Sequence, residues 1–415
     1  MLKRVIGLLL LAFIWAPAAG AEPLRLTLGE ALRLAERQNP EVLTYNQSMV
    51  VAAGGVTVAG QRLNPTVMLG VPIGPAERKQ SLVFNVPLET GGRREARLAV
   101  AESGVREAEF SLSQVRLGIL NQTRNGFVEL AIAEASRKQS LRDLEFFDRL
   151  LDAARRRFEA GDVAEAEVIR VGFEREQSKR LLYPAENRVA AARLGLNRLL
   201  GQPLETQLEI VDDGWLFPTD LASWKLPDLP ALRDLARSQR PDLGLAAQQS
   251  ETAQRRIHLA LAEQSPAISL QGSLLWNPVV PAFTYLAGVQ LELPWGSDRG
   301  GEVEQARARH QETLLRQQAA LATADHGVAV AYANFQTARQ QLSHDLEILR
   351  PQADQVLKLA EKIYEIGQGD VTDVLLAGQS VQRQRQLLLS DYAQLHQALG
   401  ALELAVNSTL MGGQR

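Results

Sequence analysis

The chain has 415 residues, of which 46% are hydrophobic, 22% charged and only 5% aromatic, and its formal net charge is −3. That balance excludes a disordered polymer and a polybasic nucleic-acid binder, and the lack of cysteine excludes disulfides, thiolate metal sites and a lipidated N-terminal cysteine. Alanine, leucine, glutamine, glutamate and arginine dominate, a composition that favours long helices over a core filled with aromatics.

Lys3 and Arg4 precede an apolar run from Val5 to Trp15, followed by Pro17 and the small-residue triplet Ala19-Gly20-Ala21. This is the pattern of a signal peptide, residues 1–21, cleaved before Glu22. No later stretch approaches the ~20 consecutive apolar residues of a transmembrane helix.

Proline interrupts helices, so its gaps show where long ones are allowed. None occurs between Pro87 and Pro184, and none between Pro294 and Pro351. Inside the first gap Leu98, Ala101, Val105, Ala108, Leu112, Val115 and Ile119 follow the alternating three- and four-residue step of a coiled-coil seam. The register slips near Thr123 to Phe127 and resumes through Leu141, Leu144, Leu151 and Phe158. A helix over 92–160 is predicted, ~100 Å long at ~1.5 Å per residue, with a return helix over 163–200. Residues 202–229, carrying Pro203, Pro218, Pro227, Trp215, Phe217 and Trp224, read as a connecting segment packed outside the rod. A second long helix is predicted over 299–366 and a second return helix over 370–407, with bends at Pro184 and Pro351.

The chain repeats itself. EALRLAERQNPEV (Glu30 to Val42) returns as PALRDLARSQRPDL (Pro230 to Leu243). RFEAGDVAEAEVI returns as IYEIGQGDVTDVL, without a gap, 206 residues on: Phe158 matches Tyr364, Gly161 matches Gly367, Glu167 matches Asp373 and Val168 matches Val374. Two motifs repeated in the same order point to duplication, with a first unit over 22–201 and a second over 230–415.

Each half also holds a pair of strands: 66–71 and 81–88, joined across Pro72, Gly74 and Pro75, then 267–276 and 284–294, joined across Pro278 and Pro281. Leu82, Phe84, Val86 and Leu88 share one face; Ile268, Leu270 and Leu274 oppose Ser269, Gln271 and Ser273; Val289, Leu291 and Leu293 oppose Gly288, Gln290 and Glu292. Apolar-out, polar-in alternation suits a membrane β-barrel, and Trp276, Phe283, Tyr285 and Trp295 at the strand ends suit an interfacial aromatic belt. Four strands cannot close a barrel around polar side chains, so several copies must pool them; two, three or four copies all satisfy that requirement.

These features together resemble the TolC family of outer membrane efflux proteins. The segment LVFNVPLETGGRREARLAVAES, Leu82 to Ser103, is similar to that family's cobalt-zinc-cadmium branch, which reads Pro-Leu/Ile-Glu and then Gly-Gly-Lys/Arg-Arg there. The resemblance implies a mainly α chain with a small transmembrane β part. It implies a homotrimer with a 12-stranded β-barrel in outer membrane lipid, continued by a 12-helix tunnel across the periplasm. It further implies an exit duct joined by a periplasmic adaptor to an inner-membrane pump of the RND type, passing heavy-metal cations. In the family the turns between long and return helices form the periplasmic mouth and meet the adaptor. Here these are Phe158, Gly161, Glu167 and Val168 in one tip and Tyr364, Gly367, Gly369 and Val374 in the other. Asp373 matches the first acid of the family's Thr-x-x-Asp-Val-Leu-Asp gate element, the second acid is replaced by Leu376, and Asp370 stands one turn earlier.

No enzyme is expected, and no cofactor. His258, His310, His326, His344 and His396 are scattered without metal-binding spacing, and Gly54-Gly55 and Gly300-Gly301 lack the context of a phosphate loop. Two other readings remain open at this level: a duct for organic drugs or secreted proteins, and a soluble periplasmic coiled-coil scaffold.

Overall fold

A computed structural model describes residues 23–71, 79–212, 214–222, 224–292 and 299–410. The expected signal peptide, the loop residues Pro72, Gly74 and Pro75, and Trp295 lie outside the described residues. Strand β1 (Leu24–Leu26) leads into helices α1 (Leu28–Gln38) and α2 (Pro40–Gly60), then strands β2 (Thr66–Gly70) and β3 (Gln80–Leu88). Helix α3 (Arg93–Glu159) and helix α4 (Glu165–Leu200) follow, then β4 (Leu208–Ile210). The second half repeats the order with α5 (Leu229–Gln239), α6 (Pro241–Glu263), β5 (Ala267–Asn277), β6 (Ala282–Glu292), α7 (Gly300–His344), α8 (Arg350–Glu365) and α9 (Val371–Val406).

Local chemistry sets these boundaries. Thr27 and Glu30 form a capping box at α1, the Thr27 N–H donating to Glu30 Oε2 at 2.8 Å. Asn39 then ends α1 and starts α2: its Oδ1 accepts the Glu41 N–H at 2.9 Å, and Pro40 supplies the first helical φ. The buried Asn39 Nδ2 also donates to Leu199 O at 2.8 Å, tying the α1–α2 elbow to the end of α4. In the second half Arg240 occupies the same elbow, and its Nη1 donates to Ala405 O at 3.0 Å, near the end of α9. Helices α4 and α9 start and end 206 residues apart, the spacing of the repeated tip motif.

Two expectations need correction. Residues 202–229 are more than a connector, because β4 pairs in parallel with β1, Leu24 opposite Leu208. Three-residue strands carry no readable alternation, so nothing in the sequence marks them. The second long helix is also not uniform: a π-helical turn, Asp345–Leu349, stands between α7 and α8 in a backbone that stays helical over 300–365. Pro351 has no N–H to donate one turn back, and the Arg350 N–H reaches instead to Asp345 O, widening the turn. Pro184, by contrast, lies inside α4 without interrupting it.

Helices α2, α4, α6 and α9 all pack along α3, and α6 and α9 pack along α7. Leu112, Ile119, Phe127, Leu130, Leu196 and Leu200 fill one core beside α1 and β4; Phe335, Leu342, Leu395 and Leu399 fill another. His396 is fully buried at the second core, its Nε2 donating to Leu216 O at 2.9 Å, with the Trp215 ring edge-on at 4.4 Å.

The four long strands form one antiparallel sheet in the order β2-β3-β5-β6. Cross-strand partners share a face. Val67 opposes Phe84, Leu82 opposes Leu274, Val86 opposes Leu270, and Leu270 opposes Val289, giving a continuous apolar face. On the other face Thr66 opposes Asn85, Asn85 opposes Gln271, and Gln271 is hydrogen-bonded to Gln290. Trp276 and Phe283 oppose each other beside the hairpin end with ring centroids 4.5 Å apart, and Tyr285 follows on the same apolar face. No described helix is long and apolar enough to cross a membrane.

Candidate functional site

The structure brings the two tip motifs together at one end of the chain. Gly161 closes the α3–α4 turn with φ of 81° and Gly367 closes the α8–α9 turn with φ of 76°. Both lie in the left-handed region that side chains with a Cβ avoid. Gly369 has a different constraint: a Cβ there would meet Ile363 Cγ2 at 2.8 Å. Below the turns Phe147, Leu150, Leu151, Ala154, Val171, Tyr364, Val371, Val374 and Leu375 make a small shared core, with Val168 against it.

Polar contacts lock that core. Buried Tyr364 donates its hydroxyl to Glu167 Oε1 at 2.7 Å, and burial followed by the Glu167 carboxylate pushes its pKa up to about 12. The Arg157 guanidinium lies over the Tyr364 ring, 4.6 Å from its centroid. Arg170 Nη1 donates to Thr372 Oγ1 at 2.6 Å, and Gln379 Nε2 donates to Glu174 Oε2 at 3.0 Å, so α4 is joined to α9 as well. The first tip is not the mirror of the second: Phe158, the repeat partner of Tyr364, is exposed and has no hydroxyl to offer Asp373.

The two gate candidates sit differently. Asp370 caps α9, its Oδ1 accepting the Thr372 N–H at 2.9 Å, and that bond holds its carboxyl below the usual range. Asp373 is exposed on the first turn of α9, facing a groove of about 440 Å³ shared with Val356, Leu359, Ile363 and Leu376. Higher up, Arg385 on α9 reaches Asp354 on α8 at 3.2 Å and Asp143 on α3 at 3.7 Å. Arg157, Arg170 and Arg385 escape a sequence reading, because arginines on amphipathic helices carry no mark that separates a tie from a solvated face. Among the described residues no group of three or more His, Cys, Asp or Glu is placed to hold a metal ion.

A duplicated helical hairpin rod carrying a four-stranded, one-sidedly apolar sheet is the chain fold of outer membrane channel proteins. The profile of the family described as Outer membrane efflux protein matches residues 31–202 and 232–408. The chain is 24% identical to the Cobalt-zinc-cadmium resistance protein CzcC of Cupriavidus metallidurans over 93% of its own length and 91% of that protein's. It is 25% identical to the Pyoverdine export outer membrane protein OpmQ of Pseudomonas aeruginosa, over 76% of this chain and 65% of that one. Among solved structures, CusC aligns over 92% of both chains with a TM-score of 0.76 at 16% identity, and VceC of Vibrio cholerae over 92% and 97% with a TM-score of 0.73 at 18%. The chain belongs to the outer membrane efflux protein family, and its place is the outer membrane, reaching into the periplasm.

Proposed function

We propose that three copies of this chain form an exit duct: a 12-stranded barrel in the lipid over a 12-helix tunnel, its repeats 22–201 and 230–415 following a leader cleaved after Ala21. The observation that carries this reading is the sheet, whose apolar face is continuous while its edge strands β2 and β6 have no partner among the described residues. A sheet edge cannot stay unpaired in lipid, so β6 of one copy must meet β2 of the next.

The duplication supplies the helical half of the argument. Leu150 on α3 and Leu375 on α9 are 7% and 4% exposed in the seam between the two helices. Their repeat partners, Val356 on α8 and Ile169 on α4, are 56% and 65% exposed. A second copy placed by the same repeat covers both, setting α8 of one chain against α4 of the next. The paired tips then form the periplasmic mouth, where an adaptor meets the tip residues and hands on cargo from an RND pump. Asp373 of each chain rings the axis, attracting cations and repelling anions.

Heavy-metal cations are the favoured cargo, supported by the Leu82 to Ser103 segment and by the likeness to a cobalt-zinc-cadmium resistance protein. The likeness to a pyoverdine exporter supports a second reading, an organic cargo. Deleting the gene and measuring growth separates them: sensitivity to zinc, cobalt and cadmium supports the first, and sensitivity to organic compounds alone replaces it with the second. The duct itself is tested by adding the processed, detergent-purified protein to planar bilayers. Stepwise ion conductance is expected; a monomer that never conducts refutes it.

A further inference from the structure

A cleft of about 770 Å³ opens between α3 and the α8–α9 pair, on the side where the β4 segment packs. It lies well above the tips: Arg142 precedes Phe158 by sixteen residues of helix, about 24 Å at ~1.5 Å per residue. Arg137, Lys138 and Arg142 line one wall from α3, and Arg350 faces them from the start of α8. All four are exposed, and none of their side chains makes an ion pair or hydrogen bond among the described residues. The acids of the cleft do not balance them. Asp354 is held by Arg385, and Asp212 accepts the Gly214 N–H at 2.9 Å and the Leu216 N–H at 3.3 Å. With Glu134, whose pKa burial raises against the pull of Arg193, Arg137 and Lys138, the lining holds three acids against five cations, Arg385 included.

The repeat provides an internal control. Shifted by 206 residues, Arg137, Lys138 and Arg142 become Ser343, His344 and Ile348, and Arg350 becomes Leu144. The sister positions carry none of the four charges, and there the chain runs into the π-helical turn Asp345–Leu349, so the basic cluster belongs to one seam only. The four cations stand over a floor of Leu388, Leu389, Phe217 and Tyr392. Cations on two facing walls and apolar side chains between them are complementary to a helix with an apolar stripe flanked by carboxylates. A small phosphate would meet neither the floor nor the far wall.

We propose that this cleft docks an acidic amphipathic helix of a partner protein, through Arg137, Lys138, Arg142 and Arg350. The probe is a fluorescein-labelled synthetic helix with leucine on one face and glutamate elsewhere, titrated with the full processed protein in detergent and read by anisotropy. Four exposed charge contacts, each worth roughly a factor of two, predict about fifteen-fold weaker binding for the combined Arg137→Gln, Lys138→Gln, Arg142→Gln, Arg350→Gln variant. Raising the salt concentration should weaken the wild-type protein and leave that variant unmoved. Lys179→Gln, at the repeat partner of Arg385 in the sister seam, should change nothing, and replacing the three arginines by lysine should retain most of the affinity, which separates lost charge from lost fold. Equal binding by the combined variant, or equal binding of a probe with glutamine for glutamate, overturns the proposal. So does a protein that ignores the peptide while inorganic phosphate or cell-wall glycan fragments bind through the same four residues.

Discussion

Tyr364→Phe removes one hydroxyl from the tip and leaves the ring under Arg157 in place. The bond it deletes is a 2.7 Å contact from a buried donor to the Glu167 carboxylate, which ties the end of α8 to the start of α4. A hydrogen bond to a charged group contributes about 1.5–3 kcal/mol, and Glu167 is only half-buried, so water recovers part of the loss. About 1.5 kcal/mol per chain is the working figure. In the proposed trimer three such losses total about 4.5 kcal/mol, a shift of roughly two-thousand-fold away from the tip arrangement that the tie holds. Because Phe158 offers no second hydroxyl, nothing in the other tip compensates. Single-channel recording in planar bilayers measures it: Tyr364→Phe should raise open probability or conductance sharply. Glu167→Gln should raise it less, since its amide still accepts, and the double variant should add little to Tyr364→Phe alone. Unchanged channels in Tyr364→Phe and in the double variant refute the tie.

Gly161→Leu and Gly367→Leu force a side chain into left-handed backbone, costing about 1–2 kcal/mol each, with open space around both positions. Efflux should fail while membrane insertion and oligomer size, read by native gel, stay intact; normal efflux with both replaced refutes a tip role. Asp373→Asn should lower cation selectivity, read as a shift in reversal potential under a salt gradient, whereas Asp370→Asn should act mainly by weakening the α9 cap. Burial, with Arg124 close by, lowers the His396 pKa to about 4 while the Leu216 carbonyl opposes the shift, so the native fold needs the neutral ring. Stability is then full above the unfolded value near 6.5 and is lost as pH falls toward 4, by up to about 3 kcal/mol per chain. Asp391, raised to about 6 by burial and by its bond to Asp345, acts in the opposite sense over the same range. The comparison is therefore of melting temperatures for wild type and His396→Phe from pH 7 to 4, in which the variant should lose less; identical slopes refute the assignment.

The helix Arg93–Glu159 is legible because no proline interrupts it and its apolar spacing keeps one seam. The sheet is legible because Ile268, Leu270 and Leu274 alternate with serine and glutamine, and a period of two reports a face. The β1–β4 pair is not, since Leu24–Leu26 and Leu208–Ile210 are too short to show a period. Pro351 announces a disturbance but not its form; only the backbone shows that a π-helical turn absorbs it. At the tips the glycines and the aromatic pair are visible as a repeat. The divergence that matters, a hydroxyl at Tyr364 and none at Phe158, gains meaning only once Glu167 is seen beside it. Charge balance in the Arg137 cleft is likewise a property of three helices brought together, invisible along any one of them.

The central claim is that the exposed stripes of α8 and α4 meet between chains as α3 and α9 meet within one. The protein has no cysteine, so a pair introduced as Val356→Cys and Ile169→Cys reports on that seam alone. Oxidised in the outer membrane and run on a denaturing gel without reductant, the double variant should give a ladder of covalent dimers and closed trimers while each single variant stays monomeric. A double variant that remains monomeric under oxidation contradicts the shared duct.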